Sequence, residues 1–143
     1  MNTQPYPDGY SPNQSLVHLT QKCFIFFGDR LLVLRRSETA PAWPLTWDLP
    51  GGALIRGEEP MPAIVREVVE ETGLEPFDLA PVTLRARHNE ADQFWVTVYY
   101  QARAGEETVT LSFEHNQYQW VTPSEFEALD VPERLRGIIG DLF

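Results

Sequence analysis

The stretch GALIRGEEPMPAIVREVVEETGL, Gly52 to Leu74, decides how the rest of the chain is read. It holds five carboxylates, Glu58, Glu59, Glu67, Glu70 and Glu71, against two arginines, Arg56 and Arg66. Its second half has the marks of a helix. Pro60 or Pro62 suits a first turn, where a missing N–H costs little. Gly73 suits the residue just past the end, where the backbone turns left-handed. At about 100° per residue, Met61, Ile64, Val65, Val68 and Val69 share an arc of roughly 140°. Glu67, Glu70 and Glu71 occupy a separate arc of about 100°. The first arc is expected to dock on a core, and the second gathers three carboxylates into one small volume.

Like charges three or four residues apart on an exposed helix cost a few tenths of a kcal/mol per pair. A divalent cation removes that conflict. Clustered hard oxygens suit Mg²⁺ or Mn²⁺, which keep waters and also take oxygens from a bound phosphate. Without a ligand the same face is simply a solvated acidic surface.

The spacing separates the two. Gly52, five residues, Glu58, seven residues, then Arg66-Glu67-Val68-Val69-Glu70-Glu71-Thr72-Gly73-Leu74 resembles the Nudix hydrolase signature at every fixed position. The resemblance implies an α/β/α sandwich around a central mixed sheet; pattern alone reaches only α+β. It implies Mg²⁺-dependent hydrolysis, with Mn²⁺ able to substitute, of a nucleoside diphosphate linked to a further group, by water attack on phosphorus. Carried over by position, Glu70 and Glu71 match the principal metal ligands. Glu67 matches a further ligand or the general base. Glu58 matches a residue that contacts metal-bound water or accepts a hydrogen bond from the signature arginine, here Arg66. Arg66 is expected to hold carboxylates in place. The WDLPGG segment, Trp47–Gly52, leads into the helix as in the family, which makes the Gly51 carbonyl a candidate metal ligand. A further glutamate often comes from outside the motif. Glu114, at a strand end before Tyr118-Gln119-Trp120, is the first choice and Glu90 the alternative.

Arg35 and Arg36 lie where the family often has a phosphate-facing residue, and strand alternation sends them to opposite faces. Trp43, Trp47, Trp95 and Trp120 are core candidates one by one. Trp43 is the least strand-like and so the best placed to line a pocket. His115 reads as a surface or hydrogen-bonding histidine.

Composition bounds the partners. With 143 residues, 43% hydrophobic and 12% aromatic, one domain over residues 15–143 is expected, behind an irregular arm at 1–14 rich in Pro, Asn and Gln. Tyr6 and Tyr10 could tack that arm to a surface, including that of a second copy in a homodimer. A net charge of −10 argues against nucleic acid duplexes and anionic membranes, though not against a small nucleotide met through a metal. Cys23, the one cysteine, sits in the apolar run CFIFF and reads as a buried thiol, compatible with a reducing cytoplasm. No signal-peptide pattern and no membrane-length apolar run is present.

Strands are expected at 16–27, 30–36, 82–88, 94–103, 109–113 and 118–121, with Gly28-Asp29 a hairpin turn, 89–93 a turn and 114–117 a loop. Thr122 and Glu125 form a capping box ahead of one short helix. Pro132 starts another, with Leu135, Ile138 and Ile139 inward. Other readings share the fold. One is a Nudix domain that binds nucleotide without catalysis. Others are hydrolysis of a nucleotide sugar or a dinucleoside polyphosphate. An isopentenyl-diphosphate isomerase would want a cysteine near the site.

Overall fold

In the computed structural model, which describes the chain apart from Asn2 and Gln14, strand β1 (His18–Phe27) is the hub of a mixed sheet. It runs parallel to β6 (Phe94–Arg103), from His18 opposite Trp95 to Phe26 opposite Arg103. β6 in turn pairs antiparallel with β5 (Phe77–His88). The other edge of β1 is divided. Next to the Gly28-Asp29 turn it meets β2 (Arg30–Arg36) at Phe26–Leu31 and Phe27–Arg30. Further back the two strands part, and β4 (Gly51–Ala53) takes the β1 edge, with Gly51 opposite Lys22. β2 pairs instead with β3 (Trp47–Asp48) and β7 (His115–Val121). The sheet therefore opens as a wedge between β1 and β2.

Alternation along β1 makes two cores. Cys23 and Ile25 face α1 (Pro60–Thr72) with Leu32 and Leu34, against Ile64 and Val68. Phe24 faces the other way with Leu31, Val33 and Tyr99, against α2 (Pro123–Glu127) and α3 (Glu133–Leu142), which contribute Phe126, Leu135, Ile138 and Ile139. Helices on both faces of the mixed sheet form the expected α/β/α sandwich. Leu31 to Leu34 are fully buried because both faces of β2 are covered. Each such side chain contributes about 1.5–3 kcal/mol on burial.

The helix signals are realised. Gly73 ends α1 at φ 72°, its N–H donating to the Val69 carbonyl. Thr122 and Glu125 make the reciprocal capping box of α2.

Several boundaries move. β1 begins at His18 rather than Leu16. β5 begins at Phe77, because the ladder continues through two register irregularities, one between Phe77 and Ala80 that takes in Asp78 and one between Pro81 and Thr83, instead of stopping there. β7 begins at His115, so 115–117 are strand. Residues 109–113 form no strand: the Thr110 N–H donates to the Thr72 carbonyl at the end of α1, and Val109 fills the core beneath it. β3 and β4 are short strands in the WDLPGG segment, where no strand is expected from the sequence. Met61 and Val69 are 41% and 40% exposed, whereas Glu71 is buried at 2%. The docked face of α1 is therefore rotated toward its carboxylates. In the arm, Tyr6 and Tyr10 stack on each other at 4.8 Å and stay exposed. Among the described residues no helix is long and apolar enough to cross a membrane.

Gly51 carries the closest backbone approach. Its φ is 151°, and a Cβ there would lie 2.0 Å from the Gln21 carbonyl oxygen. Gly51→Ala should lower stability by about 3 kcal/mol, combining strain and overpacking. Gly105, with open space around it, should tolerate alanine within about 0.5 kcal/mol. Urea denaturation of the two variants checks this contrast.

Candidate active site

The site is built where α1 meets the wedge. On the helix, Glu71 lies about 20° from Ile64 and so belongs to the docked stripe. Its Oε2 accepts from the Gly51 N–H at 2.7 Å. Gly52 backs onto Glu67, since a Cβ at Gly52 would sit 2.8 Å from Glu67 Oε1. The absence of a side chain at 52 lets α1 bring Glu67 against β4, while the absence of one at 51 lets β4 lie close against the β1 backbone.

Arg66 organises the outer carboxylates. Its Nε and Nη2 donate to Glu58 at 3.0 and 2.9 Å. Nη2 also reaches Glu67 at 3.2 Å, and Nη1 reaches Glu70 at 3.0 Å. The hydrogen bond from Arg66 holds the Glu58 carboxyl below its usual range. Glu70 remains half exposed. The acids thus fan outward from Glu71 through Glu67 to Glu70, and among the described residues no three His, Cys, Asp or Glu side chains close into a ready-made metal cage.

Glu114 comes from the other lip, just before β7, where its carbonyl accepts from the Ser37 N–H at 2.9 Å. It shares with Glu71 and Gly51 a cleft of about 430 Å³ that follows the opening between β1 and β2. Glu90 lies in a separate depression beside Trp43. Burial, with Glu70 and Glu114 adding repulsion against the relief from Arg66, raises the Glu67 carboxyl. Burial, reinforced by Glu114 and Glu67 and opposed by Lys22, pushes Glu71 up to about 8.

A second layer stands behind the acids. Asp48 is fully buried, with Lys22 Nζ at 2.8 Å, Arg36 Nη1 at 3.5 Å and Arg134 Nη2 at 3.8 Å from its Oδ2. Burial works to raise its pKa, but Lys22 and Arg134 prevail and hold it below the usual carboxylate range. Burial, and after it Lys22, lowers His115 to about 4, so its ring is neutral at pH 7.

Arg35 and Arg36 do diverge. Arg36 lines the cleft and donates through Nε to the Ala42 carbonyl at 2.8 Å. Arg35 turns to Asn116 Oδ1 at 2.9 Å and lies outside the cleft. Trp43 does not present a free face to the acids: Arg134 and Arg87 lie 4.5 and 5.5 Å from its ring centre, and it borders the neighbouring depression. Trp95 lines the cleft instead. His115 lines it too, and is buried rather than a surface histidine. Sequence reasoning missed Lys22, Asp48, Arg87, Trp95 and Arg134 as cleft residues. A lone lysine inside an apolar strand was a usable signal for Lys22. Arg87 and Arg134 carried none, because their neighbourhood is made by β5 and α3 folding over the same face.

The donors suit a hard cation. All the side-chain donors are carboxylate oxygens, and Mg²⁺ takes only one or two of these, completing its shell with carbonyl, water and phosphate oxygens. An open fan of acids therefore fits it, and the buried, mutually repelling Glu71 and Glu67 are the groups a cation would relieve. The Glu70–Arg66 pair is a solvent-exposed i,i+4 contact with the base ahead of the acid, the weaker order, so turning Glu70 inward costs little.

Known proteins show the same frame. The family model described as the NUDIX domain matches residues 17–142. A Bacillus subtilis (strain 168) protein provisionally named 8-oxo-dGTP diphosphatase is 30% identical over 122 residues, which cover 83% of this chain and 77% of that protein. The isopentenyl-diphosphate Delta-isomerase of Salmonella heidelberg (strain SL476) is 34% identical over 120 residues, 79% of this chain and 65% of that one. The MutT protein of Methanosarcina mazei Go1 is similar with a TM-score of 0.75 at 25% identity, covering 92% of this chain and 96% of that structure.

The Glu71 carboxyl sets a pH dependence. Its folded pKa, about 8, lies above its ordinary value of 4.5. Its contribution to stability is complete below pH 4.5 and is lost as pH rises through 8. His115, lowered from 6.5 to about 4, acts oppositely between those two values. The Glu71 effect is therefore read between pH 6.5 and 8, where metal-free protein should lose about 2 kcal/mol. Glu71→Gln should flatten that slope in denaturant titrations with chelator present.

Proposed function

The chain belongs to the Nudix hydrolase family, and from that footing we propose that it is a Mg²⁺-dependent hydrolase of a pyrophosphate bond in nucleoside di- or triphosphate-type substrates. The observation that supports this most is the convergence of Glu71 and Glu67 from α1 with Glu114 from the opposite lip, at the Gly51-Gly52 turn.

In this mechanism the cation would draw its protein oxygens from among Glu71, Glu70, Glu114 and the Gly51 carbonyl, with waters and phosphate oxygens completing its shell. When bound, it supplies charge neutralisation for the pyrophosphate, with Mn²⁺ able to replace it. Glu67, whose carboxyl is raised by burial, accepts the proton of the attacking water. The water oxygen bonds to phosphorus as the bridging P–O bond breaks and its electron pair leaves with the phosphorylated fragment. Arg66 keeps Glu58 and Glu67 aligned through its fork of hydrogen bonds. Arg36 supplies positive charge toward the substrate phosphates. A reducing cytoplasmic location accords with the buried Cys23 thiol.

The isomerase branch would use a thiol at the site. Cys23 is completely buried on the α1 side of the sheet, and burial pushes its thiol up to about 12. That chemistry therefore has no group to perform it. A non-catalytic binding role would not require the acid set to be complete, and here every motif carboxylate is present.

Phosphate release from a nucleotide panel with Mg²⁺ or Mn²⁺ is the direct test, and chelator should abolish it. Glu71→Gln should lower turnover at least ~100-fold while circular dichroism stays native. Glu114→Gln should lower it several-fold or more. Wild-type rates in both variants would sink the assignment. Millimolar Mg²⁺ should also raise the melting temperature by relieving Glu71 and Glu67, with no such rise in Glu71→Gln.

A further inference from the structure

Across the cleft from the glutamates lies a group of residues of which the hydrolytic chemistry uses only Arg36. The protein carries a net charge of −10 and eleven Lys and Arg residues. Four of those cations, Lys22, Arg36, Arg87 and Arg134, line this one cleft. Three of them share a single carboxylate, Asp48. Arg87 has no carboxylate partner among the described residues, and burial together with the neighbouring Arg134 disfavours its charge. Both guanidiniums lie against the Trp43 ring, at 5.5 and 4.5 Å. Two like charges held over one indole in a partly buried wall call for an anion between or beside them.

The unsatisfied hydrogen-bonding groups point to the same place. Among the described residues, three buried side-chain nitrogens lack a hydrogen-bond partner: Arg87 Nε, Trp95 Nε1 and His115 Nδ1. All three residues line this cleft. Arg87 and Trp95 are direct cross-strand neighbours in the β5–β6 ladder, so they stand side by side on one face. Trp95 is held there by His18, stacked on it at 4.6 Å. Arginine and tryptophan side chains can only donate. What completes them is a group that only accepts and carries negative charge.

We propose that Arg87, Trp95 and Arg134 form a phosphate subsite on the cleft wall facing the glutamates, and that it selects nucleoside triphosphates over diphosphates by holding a phosphate beyond the pyrophosphate being cleaved. This deepens the hydrolase assignment and rests on it for the direction of selection. The subsite itself depends only on the cationic, donor-only wall. Arg87 supplies the charge and one N–H, Trp95 one N–H, and Arg134 the second charge. Trp43 keeps both guanidiniums in place from behind.

Calorimetry on the full chain with inorganic tripolyphosphate in chelator tests the subsite without turnover. Wild type should bind. Arg87→Met, which keeps the aliphatic stem, should bind at least tenfold more weakly, and Trp95→Phe, which removes only the N–H donor, several-fold more weakly. Arg136→Met, the same charge change at an exposed position on α3, should bind as wild type does. No binding by wild type, or equal weakening by Arg87→Met and Arg136→Met, would overturn the subsite. If Arg87→Met fails to fold, Trp95→Phe decides: unchanged affinity there refutes it. With Mg²⁺, Arg87→Met should raise KM at least tenfold for a triphosphate and under threefold for the matching diphosphate. Equal increases would refute the selection while leaving hydrolysis intact. A wild type that hydrolyses neither would refute the hydrolase assignment, with the chelator experiment still deciding the subsite.

Discussion

A single contact sets the geometry of this molecule: the buried carboxylate of Glu71 against the backbone N–H of Gly51. An acid in that position is expensive unless something offsets its charge. One charge-assisted hydrogen bond and a lysine across the strand offset part of it, and its pKa of about 8 registers what is left. The fold accepts this because β1 and β2 part after two ladder pairs, which leaves a slot that β4 fills with two glycines. A side chain at Gly51 would force β4 away from the β1 backbone, and one at Gly52 would displace the Glu67 carboxylate on α1.

Behind the acids, Asp48 does the reverse. It collects Lys22, Arg36 and Arg134 from three different elements around one buried oxygen. Breaking such a cluster leaves uncompensated buried charge, which typically costs about 3–5 kcal/mol. The cluster therefore pins β1, β2, β3 and α3 together where the cleft needs rigid walls. The cleft becomes bipolar, with acids on the α1 side and cations on the α3 side. That polarity suits a cation–pyrophosphate pair better than it suits either ion alone. The three unpartnered nitrogens on its wall, each costing about 1–3 kcal/mol when left unsatisfied in the interior, mark stability given up at a place where a ligand can restore it.

Much of this was legible in advance wherever cause and effect lie close in the chain. Pro60, Gly73, Thr122 and Glu125 act within a turn or two of backbone, and each did what its local chemistry requires. Arg66 and Glu58, bridged across a short loop, paired in one of the two ways the family resemblance implied. Residues 109–113 show the limit. Their composition is that of a strand, but the free Thr72 carbonyl at the end of α1 competed for the Thr110 N–H and won. Trp43 was drawn to the site by its loop context and Trp95 to the core by its strand context. Their roles in the cleft are the opposite, because the sheet face that carries Trp95 is left uncovered at that end.

Motif spacing was enough to place the chain in its family, and 3.6-residue periodicity was enough to find the helix that carries the acids, because both act over a few residues. Only the tertiary structure decided that Glu71 would be the buried acid, that Glu114 rather than Glu90 would face it, and that Arg87 and Arg134 would stand on the opposite wall. Those outcomes depend on where strands separate and on which face each helix covers. Both are set by register and packing between segments far apart in the chain.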